Sequence, residues 1–103
     1  FFESMGYRCV KCSEYTPYDF ELYDQEGNFV YYVEVKGHET DEPIAELSEN
    51  EFDFAKKHED KYLVCVVTNV LTSPHIHCVP FKELKPVKTV FMRSLKYIYR
   101  VEE

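Results

Sequence analysis

The sequence predicts an α/β (α+β) fold: a mixed β-sheet with helices packed against it. Three observations predict this. Two strand-like runs flank a turn at Gly27-Asn28, which reads as a hairpin. A capped helical segment then leads into the continuous apolar run "KYLVCVVTNV". A hairpin that crosses over through a helix into a buried strand combines antiparallel and parallel pairing in one sheet. The 103 residues are 45% hydrophobic and 17% aromatic, enough for a folded core, and without Trp the bulk must come from Tyr and Phe.

The elements follow in order. "FFESMG" reads as the end of a helix stopped by Gly6. "YRCVKC" is a short strand, and "SEYTP" a connector ending near Pro17. "YDFELYD" alternates Tyr18, Phe20 and Leu22 with Asp19 and Glu21, as a strand does. "DQEGN" is the hairpin turn and "FVYYVEVKG" the return strand, rich in β-branched and aromatic residues. "HETDEP" reads as a polar loop.

"ELSENEFDFAKKHED" is the clearest helix. Ser48 is its N-cap, and Glu51 stands three residues on, as a capping box requires. Phe52 and Ala55 share a face; acids crowd the first turn, with Lys56, Lys57 and His58 in the last. "KYLVCVVTNV" is a central buried strand. "SPHIHCVPF" reads as an edge strand interrupted by Pro80, and "FKELKPV" as a short helical turn before Pro86. "TVFMRSLKYIYRVEE" fits a strand or a helix, with a strand favoured over residues 96–101.

Net charge is −7, which argues against gripping nucleic acid by bulk electrostatics. It leaves room for a local cluster of carboxylates around a hard cation. Of the four cysteines, Cys65 lies in the buried run, while Cys9 and Cys12 form one CxxC. The nearest second half for a zinc site is His75, His77 and Cys78, whose spacing matches no standard finger, so free thiols in a reducing compartment are expected. No run is apolar over the length of a membrane span, and no signal peptide stands at the start. The expectation is a cytoplasmic, single-domain fragment (residues 1–103) of a larger protein, since the sequence opens at Phe1 without Met.

"YYVEVKGHET" carries the chemistry. Residues two apart on a strand share a face, so Glu34 and Lys36 project together. The two arms of a hairpin turning near Gly27 are of similar length, which brings Asp19 beside Glu34 and Lys36. Two carboxylates and an amine then meet at a glycine break. Asp19, Glu34 and the backbone carbonyl of Val35 are oxygen donors suited to Mg²⁺ or Mn²⁺. Lys36 can stabilise developing negative charge or orient water, and Gly37 leaves room for a substrate.

Asp19, then fourteen residues, then Glu-Val-Lys resembles the PD-(D/E)XK, or restriction-endonuclease-like, nuclease superfamily. More narrowly, "PYDFELYDQEGNFVYYVEVKG", "ELSENEFDFAKKHEDKYLVCVVTNV" and "SPHIHCV" resemble the domain family named after the C-terminal part of the plant protein NO VEIN. The resemblance implies a restriction-endonuclease-like core whose first helix is truncated here. It implies Asp19, Glu34 and Lys36 as catalytic positions, and a Mg²⁺- or Mn²⁺-dependent hydrolase of phosphodiesters, with DNA favoured over RNA as the nucleic acid. It also implies fusion to helicase or ATPase regions and a role in defence against foreign DNA. Two departures stand out: Tyr18 occupies a position where the superfamily often has proline, and Glu3 is the only acid left in the first helix.

Other residues have plainer explanations beside functional ones. Glu21 shares the face of Asp19 and is either a supporting carboxylate or an exposed strand residue. Glu51 could reach the cleft, although capping explains it alone. His38 could meet a phosphate or simply sit in a loop. His75 and His77 share a face but make only two ligands. Tyr15, Tyr18, Tyr23, Tyr31 and Tyr32 could stack on bases, or cover a sheet. Lys56, Lys57 and Lys61 could touch a phosphate backbone, or be a solvated helix end. Two alternatives to an enzyme stay open: a catalytically inactive nuclease-fold module that binds nucleic acid or protein, and a small thiol or zinc protein built on Cys9 and Cys12.

Overall fold

The computed structural model describes residues 1–11, 16–91 and 95–101. Cys12 and Tyr15 of the expectations above lie outside them. Strands β1 (Arg8–Lys11), β2 (Phe20–Tyr23), β3 (Phe29–Gly37), β5 (Tyr62–Thr68) and β6 (His75–Pro80) form a five-stranded sheet in the order β1-β2-β3-β5-β6. All neighbours are antiparallel except β3 and β5, which run parallel. The parallel pair requires a crossover. It is supplied by β4 (Ile44–Ser48) and helix α1 (Glu49–Lys57). The mixed sheet is therefore the one predicted, for the predicted reason.

The hairpin turns where expected. Gly27 has φ 85°, and the Asp24 carboxylate accepts the N–H groups of Glu26 and Asn28 at 3.0 and 2.8 Å. Ser48 caps α1 with the full capping box, its hydroxyl accepting from Glu51 N–H while the Glu51 carboxylate accepts from Ser48 N–H. At the other end of the chain, "FFESMG" forms a single 3₁₀ turn, Glu3–Met5, closed by Gly6 at φ 92°. The helix expected there is confined to that turn among the described residues.

Two strands escape the sequence reading. Residues 44–48, expected as loop and helix start, form β4. Residues 85–91 form β7 (Lys85–Phe91), which with β8 (Leu95–Arg100) builds a second antiparallel sheet in the order β4-β8-β7. Pro86 is tolerated because β7 is an edge strand and its register shifts beside that proline.

The second sheet and α1 cover one face of the large sheet. Between them lies a core of Ala45, Leu47, Ala55, Tyr62, Val64, Val66, Phe81, Tyr99 and Val101. The opposite face holds Leu22, Val33, Leu63 and Cys65, covered in part by Phe2, Tyr7 and Tyr31. On β5 the side chains alternate strictly between these cores, as the period of two demands.

The cysteine expectation needs correction. Cys65 and Cys78 lie directly opposite each other on β5 and β6 and form a disulfide. They are 13 residues apart in sequence, and only the antiparallel register brings them together. Cys9 is a free, half-buried thiol.

Candidate active site

The parallel register sets Tyr32 beside Tyr62, Glu34 beside Val64 and Lys36 beside Val66. Residues paired this way project to the same face of a sheet. Glu34 and Lys36 thus point toward the core that α1 covers, not toward solvent. That explains how a charged pair sits within an apolar strand. Glu34 is buried, at 5% exposure. Its carboxylate pairs with Lys36 Nζ at 2.9 Å.

The start of α1 lies over this pair. Lys36 Nζ donates to both oxygens of Glu51, at 3.0 and 3.3 Å. Glu51 Oε1 also accepts Ser48 N–H at 2.9 Å. Lys36 therefore lies between two carboxyl groups, one from the strand and one from the helix.

Asp19 completes the arrangement from the neighbouring strand. β2 pairs with β3 only as far as Val33, whose carbonyl accepts Asp19 N–H at 2.8 Å. Beyond that point the Asp19 carboxylate takes over and accepts Val35 N–H at 2.7 Å. The N–H and C=O of one strand residue face the same edge. The Val35 carbonyl thus faces the edge where Asp19 sits. The fold brings Asp19, Glu34, Val35 and Lys36 to one end of β3, and adds Glu51.

Electrostatics within the cluster follow from burial. Desolvation pushes the Glu34 carboxyl up to about 8 from an ordinary 4.5, reinforced by the Glu51 hydrogen bond and opposed by Lys36. Burial acts on Glu51 in the same direction, but its hydrogen bonds from Glu34 and Ser48 and the charge of Lys36 hold it below the usual range. For Lys36, desolvation is outweighed by the two acids, so it stays protonated above its ordinary value. The surroundings thus favour the protonated form of Glu34, the ionised form of Glu51 and the ammonium form of Lys36. Tyr62 lies beneath; burial, then the charges of Glu34, Glu51 and Asp19, raises its phenol, which donates to Pro17 C=O at 2.7 Å.

An open cleft of about 620 Å³ reaches Glu51, lined also by Thr16, Pro17, Ser48, Asn50 and Lys57. Among the described residues no three Asp, Glu, His or Cys side chains converge as one metal centre. Glu34 and Glu51 are drawn onto Lys36, and Asp19 onto the backbone of Val35. The donor chemistry nonetheless suits a hard divalent cation: carboxylates from the residue before β2, from β3 and from α1 together with a strand-edge carbonyl, against a single ammonium.

The remaining candidates find other partners. Glu21 accepts from Tyr18 and Tyr23 hydroxyls at 2.8 and 2.6 Å. Tyr18 and Tyr32 pack against each other and against Phe54, covering the sheet. Tyr31 packs on the opposite face. The His38 ring bonds the Ile44 carbonyl, tying the loop after β3 to β4. His77 meets Thr68 Oγ1 at 3.3 Å, and His75 is exposed. Glu3 lies in a groove with Gly6, Asp24 and Gly27, at the hairpin-turn end of the sheet, away from the cluster.

A family model described as "Protein NO VEIN, C-terminal" matches residues 3–79. The chain belongs to this family. The match holds β1 through most of β6, and so every residue of the cluster. Comparison with curated proteins finds no match. Among solved structures, the chain is similar to Hjc, a Holliday junction resolvase from the archaeal hyperthermophile Archaeoglobus fulgidus. The TM-score is 0.60 at 14% identity, over 95% of this chain and 80% of that one. The chain therefore shares the restriction-endonuclease-like fold of Hjc, mostly sheet with a single α-helix among the described residues. No helix among those residues is long and apolar enough to cross a membrane.

Proposed function

We propose that this domain is a metal-dependent nuclease that hydrolyses DNA phosphodiesters. Asp19, Glu34 and the Val35 carbonyl hold Mg²⁺ or Mn²⁺, and Lys36 is the catalytic amine. The observation that carries the reading is the Asp19 carboxylate seated on the backbone between Glu34 and Lys36, where β2 stops pairing. A neighbour of the same fold is a resolvase of Holliday junctions, which are DNA. When bound, the cation polarises a phosphodiester and favours attack by water. The protein's own groups do the rest. Lys36 lies directly behind Glu51, which lines the cleft, and its ammonium there offsets negative charge developing on the phosphate. Asp19 fixes the strand edge, and the buried Glu34 keeps one side of the site dry.

By family likeness the domain serves as the nuclease part of a larger intracellular protein, residues 1–103 forming one unit beside helicase or ATPase regions that act in defence against foreign DNA.

One observation favours a second reading, a nuclease fold retained for binding nucleic acid or protein without chemistry. Glu34 is already paired with Lys36, and among the described residues no group of three acidic, His or Cys side chains converges on a metal site. Calorimetry with Mn²⁺ and Mg²⁺, and cleavage of branched and linear DNA, separate the two. The nuclease reading expects one bound cation, lost in Asp19→Ala and Glu34→Ala, and cleavage lost in Lys36→Ala. Wild-type protein that takes up neither cation and cuts neither DNA leaves the binding module.

A further inference from the structure

Glu51 does more than cap a helix. A capping-box glutamate needs one carboxylate oxygen, aimed back at the N-cap N–H. Here both oxygens of Glu51 are engaged by Lys36, one of them shared with Ser48 N–H. The side chain is 18% exposed rather than solvated. The capping bond fixes this carboxylate at the head of α1, so it presents a rigid anion to a flexible amine. Lysine carries its charge on a four-carbon stem with many rotamers and gains most from such an anchor.

We propose that Glu51 is the positioning residue for Lys36: it holds the ammonium against its own carboxylate, which lines the cleft, and retains it there when a divalent cation engages Glu34. This rests on the nuclease reading for its second half. Lys36 now bridges Glu34 and Glu51 at 2.9 and 3.0 Å. A cation on Glu34 repels the neighbouring ammonium, and without Glu51 the lysine swings into solvent. With Glu51 it keeps one of its two partners and stays beside the reacting phosphate. The negative charge of Glu51 also offsets the repulsion between ammonium and cation, so cation affinity depends on it through Lys36.

Glu51→Gln tests this, because glutamine serves equally in a capping box and α1 is preserved. The first measurement needs no metal: the rate at which a soluble acylating reagent modifies the Lys36 amine, followed by peptide mass spectrometry. Glu51→Gln is expected to raise that rate several-fold, while Ser48→Ala, which loosens the helix start and leaves the charge, does not. An unchanged rate in Glu51→Gln, or an equal rise in Ser48→Ala, overturns the proposal. The second measurement is Mn²⁺ affinity. Glu51→Gln weakens it about tenfold, as loss of a residue behind a metal ligand does, and the effect disappears in a Lys36→Gln background. A full effect persisting without Lys36 makes Glu51 a direct ligand and overturns the positioning role. Wild-type protein that binds no Mn²⁺ defeats the nuclease reading, and the labelling result still decides the role of Glu51.

Discussion

The charged form of Glu34 is disfavoured because the space around it is occupied by protein rather than water. Its ionised form lacks the solvation it has in the unfolded chain, and Lys36 compensates only in part. The sign of the pH effect follows. The folded-state value, about 8, lies above the ordinary 4.5. The stabilising contribution of Glu34 is therefore complete below 4.5 and is lost as pH rises toward and through 8. Glu51 is shifted the other way, so its contribution is present above its unfolded value and lost only in acid. Lys36, shifted up, loses its contribution only at strongly alkaline pH. Between pH 5 and 8 Glu34 dominates. Glu34→Gln, a neutral isostere, is expected to gain on wild type across that window by up to about 1.4 kcal/mol per pH unit. Urea unfolding at three pH values measures it; parallel curves for the two proteins would show that Glu34 ionises freely. Part of this cluster is legible in the sequence. Strand alternation places Glu34 with Lys36, and hairpin arithmetic delivers Asp19. The bond from Lys36 to Glu51 is not legible, because it depends on where α1 crosses β3, and no local pattern encodes that crossing.

Secondary structure was readable where local chemistry was strong. Gly27 fixes the hairpin turn and Ser48 the helix start. Ser48→Ala is expected to cost about 1 kcal/mol through the lost hydroxyl cap, measured by urea unfolding. No loss would mean that packing alone holds the helix start. Packing does contribute: the Phe52 ring stacks on Tyr97 at 3.7 Å with planes 5° apart. Phe52→Ala is expected to cost more than the cap, about 3 kcal/mol, in the same measurement. The missed elements lack such signals. β4 is five residues long and runs straight into the helix through the cap residue itself, so "IAELS" reads as the helix lead-in. β7 carries Pro86, which argues against a strand until its edge position is known. The Cys65–Cys78 disulfide was hidden for a related reason: it expresses the β5–β6 register, not sequence spacing.

The second sheet decides how the whole molecule supports its site. β4 leads directly into α1 and Glu51, and β4 is held by β8 along five residue pairs, from Ile44 with Arg100 to Ser48 with Lys96. Just past β8, Val101 is fully buried and donates to Pro43 C=O at 2.6 Å. The last segment thus clamps the platform on which the helix start rests. The family match ends at residue 79, before this segment, and could suggest an independent unit. The packing argues otherwise. Tyr99 and Val101 are buried against the core that includes Ala45, Leu47 and Phe81, and each is worth about 1.5–3 kcal/mol of burial. Removing both, and leaving β4 an unpaired edge, consumes much of the 5–15 kcal/mol that holds a domain of this size. A chain ending at residue 84 is expected to lose cooperative urea unfolding and dispersed amide resonances. It should also lose the protection of Lys36 from acylation, because Glu51 no longer has a fixed position. If that chain unfolds at the wild-type midpoint with Lys36 still protected, the second sheet is an accessory and the first 84 residues alone hold the cluster.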